Sequence, residues 1–244
     1  MAQPSVIVLE DHEAMSRAAA DLVTEIVTAH PTASVVVPTG ATPMDLYREL
    51  ARRREQGTFD ASGVRAHQLD EYLGIDPGDR RSFFGWMNRT FAEPLGIPPE
   101  HVVRLPADGN LVAACADYDR AVQEAGGFDL VLLGIGANGH IGFNEPPCDA
   151  SAPTREVVLS AETVASNARY WGDPEHVPRS GITIGMAPLL GGRKILLLAS
   201  GTHKREIVHR ALEGPVTPQV PASYLQEAPD VTVFVDREAW PGKR

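Results

Sequence analysis

The stretch FDLVLLGIGANGHIGFNEP, from Phe128 to Pro146, begins as a near-continuous apolar run and then breaks into glycines around one histidine. A strand with one solvated face would alternate apolar and polar residues. Phe128–Leu133 does not, so it reads as a strand covered on both faces, as in the middle of a parallel sheet. Lys194–Ala199 (KILLLA) repeats the pattern farther along. Outward from these runs, strands alternate with helical spacing. Ser5–Leu9 precedes a helix over His12–Ala29, Ser34–Val37 one over Met44–Arg54, Val64–Leu69 one over Ser82–Phe91, and Val102–Leu105 one near Leu111–Ala125. Lys204–Leu212 reads as the last helix, with Gly214 placed to stop it, and Val231–Val235 as the last strand. Repeated strand-then-helix units predict an α/β fold: a doubly wound, largely parallel, Rossmann-like sheet with helices on both faces, forming a single domain over 1–244. Asn144–Pro153 (NEPPCDASAP) carries three prolines and is expected to be irregular. A loop of that length in a compact domain is often functional, and an active-site lid is expected within 144–175.

Composition narrows the function. Apolar residues make up 43% of the 244-residue chain and charged residues 22%, with a net charge of −10. Nucleic acid and anionic membranes call for a basic stripe, so neither is expected as a partner. Cys115 and Cys148 lie far apart in no C-x-x-C pattern, which speaks against a disulfide framework or zinc ribbon and suits a reducing compartment. The opening MAQPSVIVLED has no basic segment and too short an apolar run for a signal peptide. A cytoplasmic location is expected.

In an open α/β sheet, ligands bind beyond the carboxyl ends of the strands, and four strand ends here carry unusual residues. At Pro38-Thr39-Gly40-Ala41-Thr42-Pro43, Thr42 reads as an N-cap and Pro43 as the first helical residue, with free N–H groups that suit an anion. At Gln68-Leu69-Asp70-Glu71-Tyr72, adjacent acids on a strand point to opposite faces, so Asp70 is expected in a cleft and Glu71 in solvent. The third end, Gly134–Pro146, holds a formal G-x-G-x-x-G. A dinucleotide reading fails because that motif should open a helix and Pro146-Pro147 denies one. Four glycines packed around His140 instead imply a backbone shaped to present an imidazole, with Glu145 to orient or polarise it. At Ser200-Gly201-Thr202-His203-Lys204, Lys204 opposes the helix dipole unless an anion binds there. An anion nest, an acid, a His–Glu pair and a lysine together describe a phospho-sugar site. Asp70, His140 and Glu145 make a weak transition-metal set, and no metal or cofactor is expected.

These segments together resemble the glucosamine-6-phosphate deaminase (isomerase) family, in a superfamily shared with 6-phosphogluconolactonases. PTGATP, LDEY, GIGANGHIGFNEP, NARY and SGTHK occur in that family's order over nearly the whole chain. The continuation Phe143-Asn144-Glu145-Pro146 favours the deaminase branch. The resemblance implies that Asp70 removes the C2 proton of an amino-sugar phosphate and that His140 opens the pyranose ring, with Glu145 and Asn138 beside it. Thr39, Gly40, Ala41 and Thr42, with Lys204 and the Arg169 of NARY, would hold the phosphate. The reaction implied takes glucosamine 6-phosphate and water to fructose 6-phosphate and ammonia by ring opening, C2 deprotonation and iminium hydrolysis, steps that positioned acids and bases can drive by moving protons.

The chain departs from the family at informative places. Asn138 stands where well-known members carry Asp, which leaves the relay to His140 and Glu145. Ala41 replaces a common Gly, tolerable if its φ is negative. Cys148 and Val157 stand where allosteric members have Ser and Lys, and only Arg155 is kept. This predicts a short, non-allosteric branch, monomeric or a small homo-oligomer. A galactosamine-6-phosphate deaminase and a non-catalytic sugar-phosphate sensor remain the alternatives.

Overall fold

The structure, a computed structural model, describes residues 3–76, 78–240 and 242. In chain order, β1 (Ser5–Leu9), α1 (His12–Ala29), β2 (Ser34–Val37), α2 (Met44–Glu55), β3 (Arg65–Gln68) and β4 (Asp70–Tyr72) are followed by α3 (Phe83–Met87), β5 (Val102–Val103) and α4 (Leu111–Glu124). Then come β6 (Leu130–Gly134), β7 (Arg155–Val158), α5 (Ala161–Trp171), β8 (Ser180–Thr183), α6 (Met186–Leu190), β9 (Lys194–Ala199), α7 (Arg205–Leu212) and β10 (Val231–Asp236).

Seven strands form one sheet in the order β1-β10-β9-β6-β2-β3-β5, every neighbouring pair parallel. The apolar runs do what their lack of alternation predicts. Val131 and Leu133 of β6 enter the core on one face, with Ile207 and Val208 of α7. Leu130 and Leu132 enter the core on the other, with Met15 and Val23 of α1 and Leu46 of α2. The doubly wound reading is therefore borne out. Chain direction across the sheet reverses between β2, which leads to β3 and β5, and β6, which leads to β9 and β10. A crevice opens at such a reversal.

A second, three-stranded antiparallel sheet, β4-β8-β7, was not legible in the sequence. Its strands are three or four residues long and carry Asp70, Glu71, Arg155 and Glu156, so no apolar run marks them. The expected strand Val64–Leu69 ends at Gln68. Asp70 opens the next strand, paired with Thr183. The expected helix Ser82–Phe91 is α3 followed by a π-helical turn over Asn88–Ala92. α7 is preceded by a 3-10 turn over Thr202–Lys204. Gly214 does not stop α7 by a left-handed turn. The helix ends at Leu212, and Gly214 passes so near the Arg210 carbonyl that a Cβ would sit 2.5 Å from its oxygen.

Candidate active site

The loops after β2 and β6, at the reversal, open onto a cavity of about 580 Å³. Thr39, Gly40, Ala41, Thr42, Asp70, Asn138, His140, Arg169 and Lys204 all line it. Glu145, the remaining acid–base candidate, is not part of the wall and lies behind His140, its Oε2 3.4 Å from Nδ1.

The loop after β6 is a tight turn in which Gly136 N–H donates to the His140 carbonyl at 3.0 Å. The imidazole lies flat against Gly136, where a Cβ would fall 2.2 Å from a ring atom. Any side chain there would push His140 out of place. Asn138 Oδ1 accepts the His140 backbone N–H at 3.1 Å, and its Nδ2 donates to Glu145 Oε2 at 2.8 Å. The same Oε2 lies 3.4 Å from His140 Nδ1, an ion-pair distance longer than a good hydrogen bond. Thr163 of α5 donates its hydroxyl to Glu145 Oε1. Burial alone would raise the Glu145 carboxyl, but His140, Thr163 and Asn138 outweigh it and hold the group at about 2.

Asp70 is placed by the second sheet. That sheet also supports the histidine loop, since Thr183, opposite Asp70, accepts the Phe143 N–H on its hydroxyl at 3.2 Å. Asp70 is 6% exposed, and its Oδ1 has no hydrogen-bond partner among the described residues. Burial, and then the charge of Glu71, push its carboxyl up to about 8. Glu71 is not the solvated residue expected. It is 1% exposed and accepts from Gln68 Nε2, its neighbour Tyr72 N–H, and the N–H groups of Phe83 and Phe84, all at 2.9 Å. Pairing alternation does send the two acids to opposite sides, but the far side is occupied by the N-terminus of α3, whose free N–H groups Glu71 satisfies.

Elsewhere on the cavity wall, Gly40 has φ +113°, a conformation open to glycine, while no other residue type among those described has positive φ, so Ala41 fits as expected. Thr42 is not an N-cap. Pro43 takes that position with helical angles, and α2 starts at Met44 without a side-chain cap. Thr42 instead gives its carbonyl to His12 Nε2 at 2.9 Å. Lys204 Nζ donates to the Ile135 carbonyl at 2.6 Å. Burial, and then the charge of nearby Arg169, lower the Lys204 ammonium. Two cations drawn together, with no carboxylate paired to either among the described residues, suit a bound anion.

Sequence reasoning missed several residues. Asp236, at the end of β10, accepts the Gly201 N–H at 3.0 Å and the Ser200 hydroxyl, and so fixes the turn that delivers Lys204. Arg81 lies 4.2 Å over the Trp171 ring, joining the segment before α3 to α5 at the cavity mouth. Tyr72, Phe83, Phe143 and Trp171 pack edge and face beneath it. Helix α5 itself, which carries Thr163 and Arg169, was not anticipated. Its signal was Ser160, whose hydroxyl caps the Thr163 N–H at 3.1 Å.

Comparison with known proteins accords with this geometry. The family model described as glucosamine-6-phosphate isomerases/6-phosphogluconolactonase matches residues 10–234. A protein named glucosamine-6-phosphate deaminase from Halothermothrix orenii is 39% identical over 96% of this chain and 98% of its own. One of the same name from Cutibacterium acnes is 41% identical over 96% and 90%. A solved structure described as a monomeric glucosamine-6-phosphate deaminase superposes with a TM-score of 0.92 at 36% identity, covering 96% of this chain and 98% of that one. A 6-phosphogluconolactonase from Leishmania guyanensis shares the fold, with a TM-score of 0.76 at 20% identity over 99% of each chain. On the family match across residues 10–234 and these full-length relatives, the chain belongs to the glucosamine-6-phosphate isomerase/6-phosphogluconolactonase family.

Proposed function

We propose that the protein is a glucosamine-6-phosphate deaminase that needs no metal or organic cofactor. The observation that carries this is geometric: one cavity is lined by the buried Asp70 carboxyl, unpartnered at Oδ1 among the described residues, and by the His140 imidazole, with the Glu145 carboxylate 3.4 Å behind it. Burial raises the first acid to about 8; in the second, burial is outweighed by hydrogen-bond donors, which hold it at about 2. Environments that push two acids so far apart assign them different tasks. The phosphate rests against Gly40–Thr42, Lys204 and Arg169. His140, with Glu145 behind Nδ1, moves the proton that opens the pyranose ring. Asp70, once ionised, is a strong base for a carboxylate and removes the C2 proton. The proton returns at C1, leaving a C2 iminium. Water adds to that carbon and ammonia leaves, giving fructose 6-phosphate. Asn138 cannot carry a proton; it holds Glu145 and the His140 backbone in place.

The deaminase names of the relatives support this choice over the lactonase branch, whose structures share only the fold. We further take the protein to work as a monomer or small homo-oligomer in the cytoplasm. Among the described residues no helix is long and apolar enough to cross a membrane. The test is ammonia release from glucosamine 6-phosphate and galactosamine 6-phosphate, side by side, after exhaustive chelation. Turnover of the gluco sugar is expected. Preference for the galacto sugar would change the substrate, binding without turnover would make the protein a sensor, and activity restored only by a divalent metal would overturn the mechanism.

A further inference from the structure

The role of Glu145 depends on a residue outside the loop that carries it. Its Oε2 is held by Asn138 Nδ2 at 2.8 Å and stands 3.4 Å from His140 Nδ1. Among the described residues, Oε1 has one donor, the Thr163 hydroxyl. Rotation about the last bond of a glutamate is soft. A carboxylate fixed at one oxygen only could swing Oε2 off the imidazole, and the second bond removes that freedom. Thr163 is 3% exposed and sits in the first turn of α5, its backbone N–H already taken by Ser160 Oγ at 3.1 Å. A helical threonine hydroxyl ordinarily bonds back to a carbonyl three or four residues earlier; here it goes across to another segment instead. The same helix carries Arg169, so one element lines the cavity with both the proposed phosphate contact and the residue that holds Glu145.

We propose that Thr163 is a positioning residue of the proton-transfer apparatus: its hydroxyl clamps Glu145 Oε1, keeps the carboxylate aimed at His140 Nδ1, and ties that aim to the placement of α5. The inference rests on the reading of His140 and Glu145 as the ring-opening pair. The low position of Glu145, to which Thr163 contributes, agrees with it.

Thr163→Val keeps the shape of the side chain and removes only the hydroxyl. Thr163→Ser keeps the hydroxyl, and Thr163→Ala serves if the valine variant does not fold. Expected are a fall in kcat of about tenfold or more, the scale of one hydrogen bond to a charged group, with KM changed less than about twofold. The acid limb of the kcat–pH profile, set by Asp70, should stay where it is in wild type, and Thr163→Ser should restore kcat. In a Glu145→Gln background, Thr163→Val should add little, because residues that act through one another are not additive. A silent Thr163→Val with a damaging Glu145→Gln would overturn the inference and leave the site reading standing. So would failure of serine to rescue, or a full additional loss in the Glu145→Gln background. Undiminished activity of Glu145→Gln itself would take down both.

Discussion

Asn138 and Glu145 are joined side chain to side chain, the amide nitrogen donating to Oε2 at 2.8 Å while the amide oxygen accepts the His140 backbone N–H at 3.1 Å. The amide suits both contacts, since only its nitrogen end can face a carboxylate as a donor. An aspartate here would set two carboxylates against each other unless one held a proton.

Asn138→Asp is therefore expected to raise the apparent pKa of the pair. The Glu145 carboxyl titration, followed by carbon-13 NMR, should move up by about one unit or more, as for carboxyls sharing a site. A titration identical to wild type would show that this contact does not tune Glu145.

Asp70 links activity to stability. Its folded-state pKa is raised from 3.8 to about 8 by burial and by Glu71, so between those values the folded chain binds a proton that the unfolded chain does not. Stability then falls with rising pH, by about 1.4 kcal/mol per unit, and levels off above the folded pKa. Asp70→Asn removes the titration. Its melting temperature should exceed that of wild type by a margin that opens from pH 4 to pH 8 and is flat beyond; a margin independent of pH would contradict the assignment.

Lys204→Met should act on binding. Loss of one charge-assisted contact to a phosphate is expected to raise KM roughly ten- to hundredfold, with kcat changed much less because the contact is present before and during reaction. A collapse of kcat at unchanged KM would place Lys204 in the chemistry instead.

N-acetylglucosamine 6-phosphate, the effector that the family resemblance implies for allosteric members, is not expected to activate this protein. Arg155 is engaged within its own fold, donating to Asn144 Oδ1 at 2.8 Å and to the Pro153 carbonyl at 3.1 Å, and Val157 offers no charge. Initial-rate curves should be hyperbolic with or without that compound; sigmoidal curves that it straightens would reverse this reading.

The large sheet was legible because Leu130–Leu133 and Ile195–Ala199 are buried on both faces and carry the signal in every residue. The small sheet was not, because its strands are short and include charged residues whose partners lie far away in sequence. Glu71 shows the difficulty most clearly. Side-chain alternation sends it away from Asp70, and nothing local reveals that α3 begins there with N–H groups to satisfy. Asp70, His140, Lys204 and the Gly40 turn were legible because each breaks the local pattern at the end of a strand. Thr163 and Asp236 were not, since a threonine in a helix and an aspartate after VTVFV look ordinary until the fold brings Glu145 and Gly201 beside them.

The central claim, that Asp70 is the C2 base, is tested most directly by following exchange of the substrate C2 proton in deuterium oxide by NMR. Asp70→Asn preserves shape and leaves Lys204, Arg169 and the Gly40 turn in place, so glucosamine 6-phosphate should still bind. Loss of a positioned general base costs on the order of 10² to 10⁴ in rate, and C2 deuteration by Asp70→Asn should drop below detection. His140→Gln, which slows only ring opening, should retain exchange on whatever open-chain sugar reaches the site. Undiminished C2 exchange in Asp70→Asn would contradict the account and move the base elsewhere in the cavity.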